Sequence, residues 1–119
     1  MSHYLLPRTG DALDTRKQPL RFGDYIIPLQ IEESIRSGIT RDQLRAKIAG
    51  GATMFAHKKK SLIPDIGHEN TVVARNILRQ EKIMVTAEHT AGTIGRSIIF
   101  NPETKVLQVT VFGEEPVLL

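Results

Sequence analysis

With 119 residues, 40% of them apolar, the chain is sized for one domain around one core. Aromatics make up only 5% and there is no tryptophan, so Ile, Leu, Val and Met must fill that core. No cysteine is present, which excludes disulfides, thiolate metal sites and thiol nucleophiles from these residues. The net charge of +3 comes from scattered charges of both signs, with no Lys/Arg stripe interleaved with aromatics, so no nucleic-acid partner is expected.

The chain opens Met1-Ser-His-Tyr-Leu-Leu-Pro7. No basic stretch leads into a long apolar one, so this is not read as a secretory signal. No apolar run approaches the roughly 18 residues of a membrane span. A cytoplasmic protein without direct membrane insertion is expected. Residues 3–6 read as the end of a strand stopped by Pro7, and residues 8–19 as a polar surface loop. Asp24 can cap a helix running to about Ser37, on which Ile27, Ile31 and Ile35 repeat every four residues with Ile26 beside them. Pro28 falls in its first turn, where a missing N–H costs little. Gly38 suits the position just past its end. Thr40-Arg-Asp-Gln43 fits a capping box.

Next comes Leu44-Arg-Ala-Lys-Ile-Ala-Gly-Gly-Ala-Thr-Met-Phe55, around which the rest of the chain is organised. A short apolar strand over residues 46–49 breaks at Gly50-Gly51-Ala52. Three residues with almost no side chain let another backbone or a ligand approach closely. A strand end with a glycine turn and an apolar anchor at Met54 and Phe55 explains the segment; so does a loop at the mouth of a site. His57-Lys-Lys-Lys60 allows an anion site or a solvated loop, and the loop continues to Pro64.

A second helix is expected over residues 69–80, with Val73, Ile77 and Leu78 inward and Arg75, Arg79 and Gln80 outward. Residues 83–87 read as a strand, 88–95 as a polar loop with Gly92 and Gly95, 97–100 as a strand, and 101–104 as a turn. Residues 105–112 read as a closing strand paired in a hairpin, and 114–119 as a tail. The expected class is α+β or layered α/β: two helices packed on a largely antiparallel sheet, in a single domain spanning 1–119.

The four histidines, His3, His57, His68 and His89, are dispersed, and no two lie at i, i+4 on one helix, so no metal site is expected. Gly-Gly-Ala-Thr lacks the spacing of a P-loop. Ser2 and His3 are strand neighbours and point to opposite faces, which disfavours a dyad. His3 alone could serve as a general base, without an obvious nucleophile.

Taken together, these pieces resemble the chemoreceptor glutamine deamidase family (CheD). Residues 1–7 are similar to that family's Gly-Met-x-His-x-x-Leu-Pro segment. Residues 44–55 are similar to its Ala-Lys-hydrophobic-Gly-Gly-Ala-x-Met-Phe motif. Ile66-Gly-His-Glu-Asn70 resembles its Ile-Gly-x-x-Asn segment, and residues 87–96 resemble its Ala-Glu-Asp-x-Gly-Gly-x-x-Gly-Arg loop. The resemblance implies a layered α/β fold and hydrolysis of selected glutamine side chains on methyl-accepting chemotaxis receptors. It implies a Cys thiolate as nucleophile, a histidine as base, no cofactor, and a CheC-type phosphatase as a further partner.

His3 matches the family's catalytic histidine, and Gly50, Gly51 and Ala52 are the candidate substrate-binding residues, expected beside a cleft with His3 on its rim. The family's Cys lies in a Leu-Gly-Ser-Cys segment upstream of the histidine motif. The sequence is therefore expected to be N-terminally truncated, a decayed or specialised copy, or assigned too late a start. In the glycine loop, His89 stands where the family has Asp and Ala91 where it has the first Gly, so a positive φ there would be strained. Arg96 could fix this loop or touch an acidic receptor surface. Three readings follow: a deamidase whose full form carries the Cys, inactive as 119 residues; a non-catalytic binder of receptors or phosphatase; and an unrelated basic domain using residues 57–60 on nucleic acid.

Overall fold

The computed structural model describes residues 1–10, 18–53 and 65–119. The expected apolar anchor at Met54 and Phe55, the basic loop at residues 57–60 and its continuation to Pro64 lie outside the described residues, as does most of the loop expected over 8–19.

Helix α1 (Gly23–Arg36) carries the isoleucine stripe inward, with Ile27 and Ile31 buried. Asp24 does not cap it. Its carboxylate lies in the first turn and accepts from Thr9 N and Oγ1 at 2.8 and 2.9 Å. Gly38 does end it: at φ +98° it sits just past the helix, its N–H on Ile35 O, and Ile39 N–H reaches back to Ser34 O. Gln43 Oε1 then accepts Thr40 N–H at 3.0 Å, the return half of the capping box.

Strand β1 (Arg45–Gly50) leads to helix α2 (Ile66–Gln80), and α2 leads to strand β2 (Met84–Thr90), which pairs parallel to β1. A parallel neighbour needs a crossover, and α2 supplies it. Helix α2 starts earlier than the periodicity suggests because Asp65 caps it, accepting His68 N–H. Thr71, Val73, Ala74 and Leu78 are buried along its inner face. With Ile27, Ile31 and Ile83, Ala74 and Leu78 form the core cluster, and Ala46, Ile48 and Val85 pack against it from the strands.

The register shifts between Ala46 and Lys47: Ala46 pairs with Val85 but Lys47 with Ala87, leaving Thr86 as the extra residue. The bulge inverts the alternation of β2. Val85 packs into the core before it, whereas after it Glu88 and Thr90 face Arg75 of α2. His89 is thereby turned to the other face.

Strand β3 (Arg96–Phe100) pairs antiparallel with β4 (Leu107–Val111), as the hairpin expectation had it, and β4 pairs with β5 (Val117–Leu118) inside the expected tail. Among the described residues the fold is mixed α/β, with two α-helices and two sheets. Among the described residues antiparallel pairing holds in the second sheet only, and α2 packs on the parallel pair with α1 against α2, so the single largely antiparallel sheet gives way to two. Residues 3–6 form no strand beyond one bridge, Leu6 with Phe22, because Pro7 ends the pairing.

Candidate functional site

The break after β1 is a close meeting of two backbones. Gly50 has φ +123° and Gly51 φ +67°, a region where a side chain is strained. A Cβ on Gly51 would land on Thr71 Oγ1 and lie 2.8 Å from Gly67 O; a Cβ on Gly67 would lie 2.5 Å from Ala52 O. The glycines of both segments are needed for the Gly51-Ala52 backbone to rest on the first turn of α2. Hydrogen bonds complete the junction. Thr53 N–H reaches Gly92 O at 2.8 Å, and Thr53 Oγ1 donates to the Asp65 carboxylate at 2.6 Å.

Beside it lies a cavity of about 130 Å³, walled by Gly51, Thr53, Asp65 and His68 and by Thr71, Arg75, Thr90 and Ala91. It sits at the C-terminal ends of the parallel strands and the start of the crossover helix, where α/β folds open a crevice for ligands. The Thr53 hydroxyl, then the His68 N–H, hold the Asp65 carboxyl below its usual range. Arg75 is bound by Glu88, with Nε–Oε2 at 3.0 Å, and its Nη2 reaches Thr90 Oγ1 at 3.2 Å. That carboxylate raises the Arg75 pKa, so the guanidinium stays charged. The walls offer hydroxyls, a carboxylate and an imidazole, a set suited to hydrogen-bonding a neutral polar group. No cluster of three metal-ligating side chains occurs among the described residues.

The glycine loop closes the cavity's far side. Ala91 adopts φ +65° and Gly92 φ +77°. Arg96, the first residue of β3, donates from Nε to His89 Nδ1 at 2.7 Å, from Nη1 to Gly50 O at 3.3 Å and from Nη2 to Ala91 O. It thus fixes the loop, the first of the two roles open to it.

Of the residues singled out in sequence, Gly51 lines the cavity, flanked by Gly50 and Ala52. His3 does not. It is exposed, on a strap that crosses both helices: Leu5 and Leu6 N–H bond Arg21 O, and Ser2 Oγ donates to Gln30 Oε1. The Tyr4 hydroxyl donates to Asn70 O at 2.7 Å, and Asn70 Nδ2 to Leu5 O at 3.2 Å. The strap therefore rests on the same N-terminal half of α2 that carries the cavity. Burial pushes the Tyr4 phenol up to about 12. Sequence reasoning missed Thr53, Asp65, Thr71 and Arg75, and treated His68 as an ordinary polar residue. An Asp immediately before Ile-Gly-His was a readable cap signal.

A family model described as CheD chemotactic sensory transduction matches residues 5–111, a span that begins just after His3. The chain is 34% identical over 113 residues to a probable chemoreceptor glutamine deamidase CheD of Clostridium novyi, covering 95% of this chain and 69% of that protein. It is 33% identical to the like-named protein of Clostridium kluyveri at the same coverage. It is 36% identical to that of Syntrophomonas wolfei, covering 95% of this chain and 70% of that one.

Proposed function

The chain belongs to the CheD chemotactic sensory transduction family, and from that premise we propose that it acts on methyl-accepting chemotaxis receptors, taking a receptor glutamine side chain into the cavity beside Gly51. The observation that carries this reading is the cavity itself, since every element that builds it falls within the family span. Its size, about 130 Å³, falls below the roughly 300–1,000 Å³ of small-molecule pockets and suits one side chain. A primary carboxamide has two N–H donors and a carbonyl acceptor. The Asp65 carboxylate and the threonine hydroxyls can serve both. In this reading Gly50, Gly51 and Ala52 are the substrate-side wall.

By the family resemblance His3 is the base, although it stands on the exposed strap and not on the cavity wall: it takes the proton of the attacking thiol and returns it to the departing ammonia, and water then hydrolyses the thioester to glutamate. The 119 residues contain no cysteine, so the attacking thiolate is not among them. That fact favours a second reading, a non-catalytic binder of chemoreceptors or of a CheC-type phosphatase. In either case residues 1–119 act as one domain of the family's layered α/β fold, in the cytoplasm. No described helix is long and apolar enough to cross a membrane.

Incubating the cytoplasmic fragment of a methyl-accepting receptor with the protein purified from its native host and, separately, with the 119-residue chain, and reading each glutamine by mass spectrometry, separates the readings. Glutamate formation that disappears in His3→Ala supports hydrolysis with His3 as base. Saturable binding with every glutamine intact supports the binding role. Neither binding nor glutamate would overturn both.

A further inference from the structure

The Arg96 side chain is the only described group that bonds at once to the end of β1, to β2 and to the loop between β2 and β3. Its three acceptors are Gly50 O at 3.3 Å, His89 Nδ1 at 2.7 Å, and Ala91 O. Two of these belong to residues in demanding conformations, Gly50 at φ +123° and Ala91 at φ +65°. Next to them, Thr53 N–H closes on Gly92 O at 2.8 Å, joining the glycine wall to the same loop.

We infer that Arg96 is the positioning residue that fixes the Gly50–Ala52 wall against residues 91–92, and that neutral His89 aims it, so that protonating His89 loosens the wall. The chemistry is direct. A nitrogen that accepts Arg96 Nε–H must present its lone pair, so His89 carries its proton on Nε2. An imidazolium has N–H groups on both nitrogens. The 2.7 Å bond would become a donor facing a donor, with two like charges in contact. His89 pairs across the sheet with Ala49, and Lys47, on the same face of β1, is a further cation, held by Lys105 O and Leu119 O. Arg75 and Glu88 engage each other on the helix face. An Asp at position 89, as in the family motif, would hold Arg96 by charge and stay ionised through the same pH range. Histidine therefore makes the hold proton-sensitive in this chain.

The inference rests on the proposed function only in treating Gly50–Ala52 as the substrate wall. The positioning itself is read without a receptor, so failure of either idea is seen separately. The experiment is amide hydrogen exchange by NMR on the full chain, corrected for intrinsic rates, from about pH 8 to about pH 5.5, where histidines charge. Protection of the Thr53 amide is expected to fall roughly tenfold while that of Leu78 holds. His89→Asp, and independently His89→Gln with its neutral acceptor, are expected to keep Thr53 protected at both ends. Arg96→Lys, which lacks the fork, is expected to leave Thr53 weakly protected throughout. An unchanged Thr53 amide in the parent chain, or a loss that persists in both His89 variants, would overturn the inference.

Discussion

Replacing Gly51 by alanine forces a Cβ onto Thr71 Oγ1 at a backbone angle of φ +67°. The left-handed angle costs a side chain about 1–2 kcal/mol and the overlap about as much again, so urea denaturation of Gly51→Ala is expected to show a loss of about 2–4 kcal/mol. The reverse change is expected at Ala91, where φ is +65°: Ala91→Gly should gain about 0.5–1 kcal/mol, read by the same denaturation. Both effects were partly legible in the sequence. Gly-Gly announced a close approach and the Ala at position 91 announced strain. The approaching partner, Gly67, was not legible, because it lies across the chain and its glycine looked like part of a helix start. His68 likewise gave no signal, since only the Asp65 cap and the fold of α2 bring it to the cavity wall.

At the scale of elements, the ends of α2 explain what periodicity could not. Its start depends on Asp65, whose side chain does the capping outside the apolar repeat. Its end uses the same backward-bonded turn as α1, with Lys82 N–H on Arg79 O and Ile83 N–H on Leu78 O, but with Lys82 at φ 57° in place of a glycine. Lys82→Gly is expected to raise stability by about 0.5–1 kcal/mol, measured as a shift of the denaturant midpoint with unchanged slope. The parallel pairing of β1 with β2 was hidden because residues 83–87 alternate weakly. The extra residue at Thr86 reverses the pattern midway, so neither half shows a clean period. By contrast, the α1 stripe of Ile27, Ile31 and Ile35 was legible outright, because four-residue spacing on a glycine-ended segment has few other readings, even though the expected Asp24 cap did not form.

For the whole molecule, stability is centred on the helix–strand core, so Leu78→Ala is expected to cost about 2–5 kcal/mol. Its pH dependence follows from Tyr4 on the strap, Asp65 at the start of α2 and Asp42 in the turn before β1. Tyr4 has its pKa raised to about 12 from 10.0, so the folded state holds that proton more tightly than the unfolded one. Stability is complete below pH 10 and falls as pH rises toward 12; Tyr4→Phe should flatten that slope in thermal melts. Asp42 and Asp65 are shifted the other way, by the hydroxyls of Thr40 and Thr53. Their contributions are present above 3.8 and are lost as pH falls below it.

We propose that the cavity beside Gly51 receives a receptor side chain. Titrating the cytoplasmic fragment of a methyl-accepting receptor into the chain and into its Thr53→Val variant, by calorimetry, tests it most directly. Saturable binding that weakens roughly tenfold in the variant, the loss of a buried polar contact, is the expected result. Equal binding by both proteins, or none by the parent chain, would contradict it.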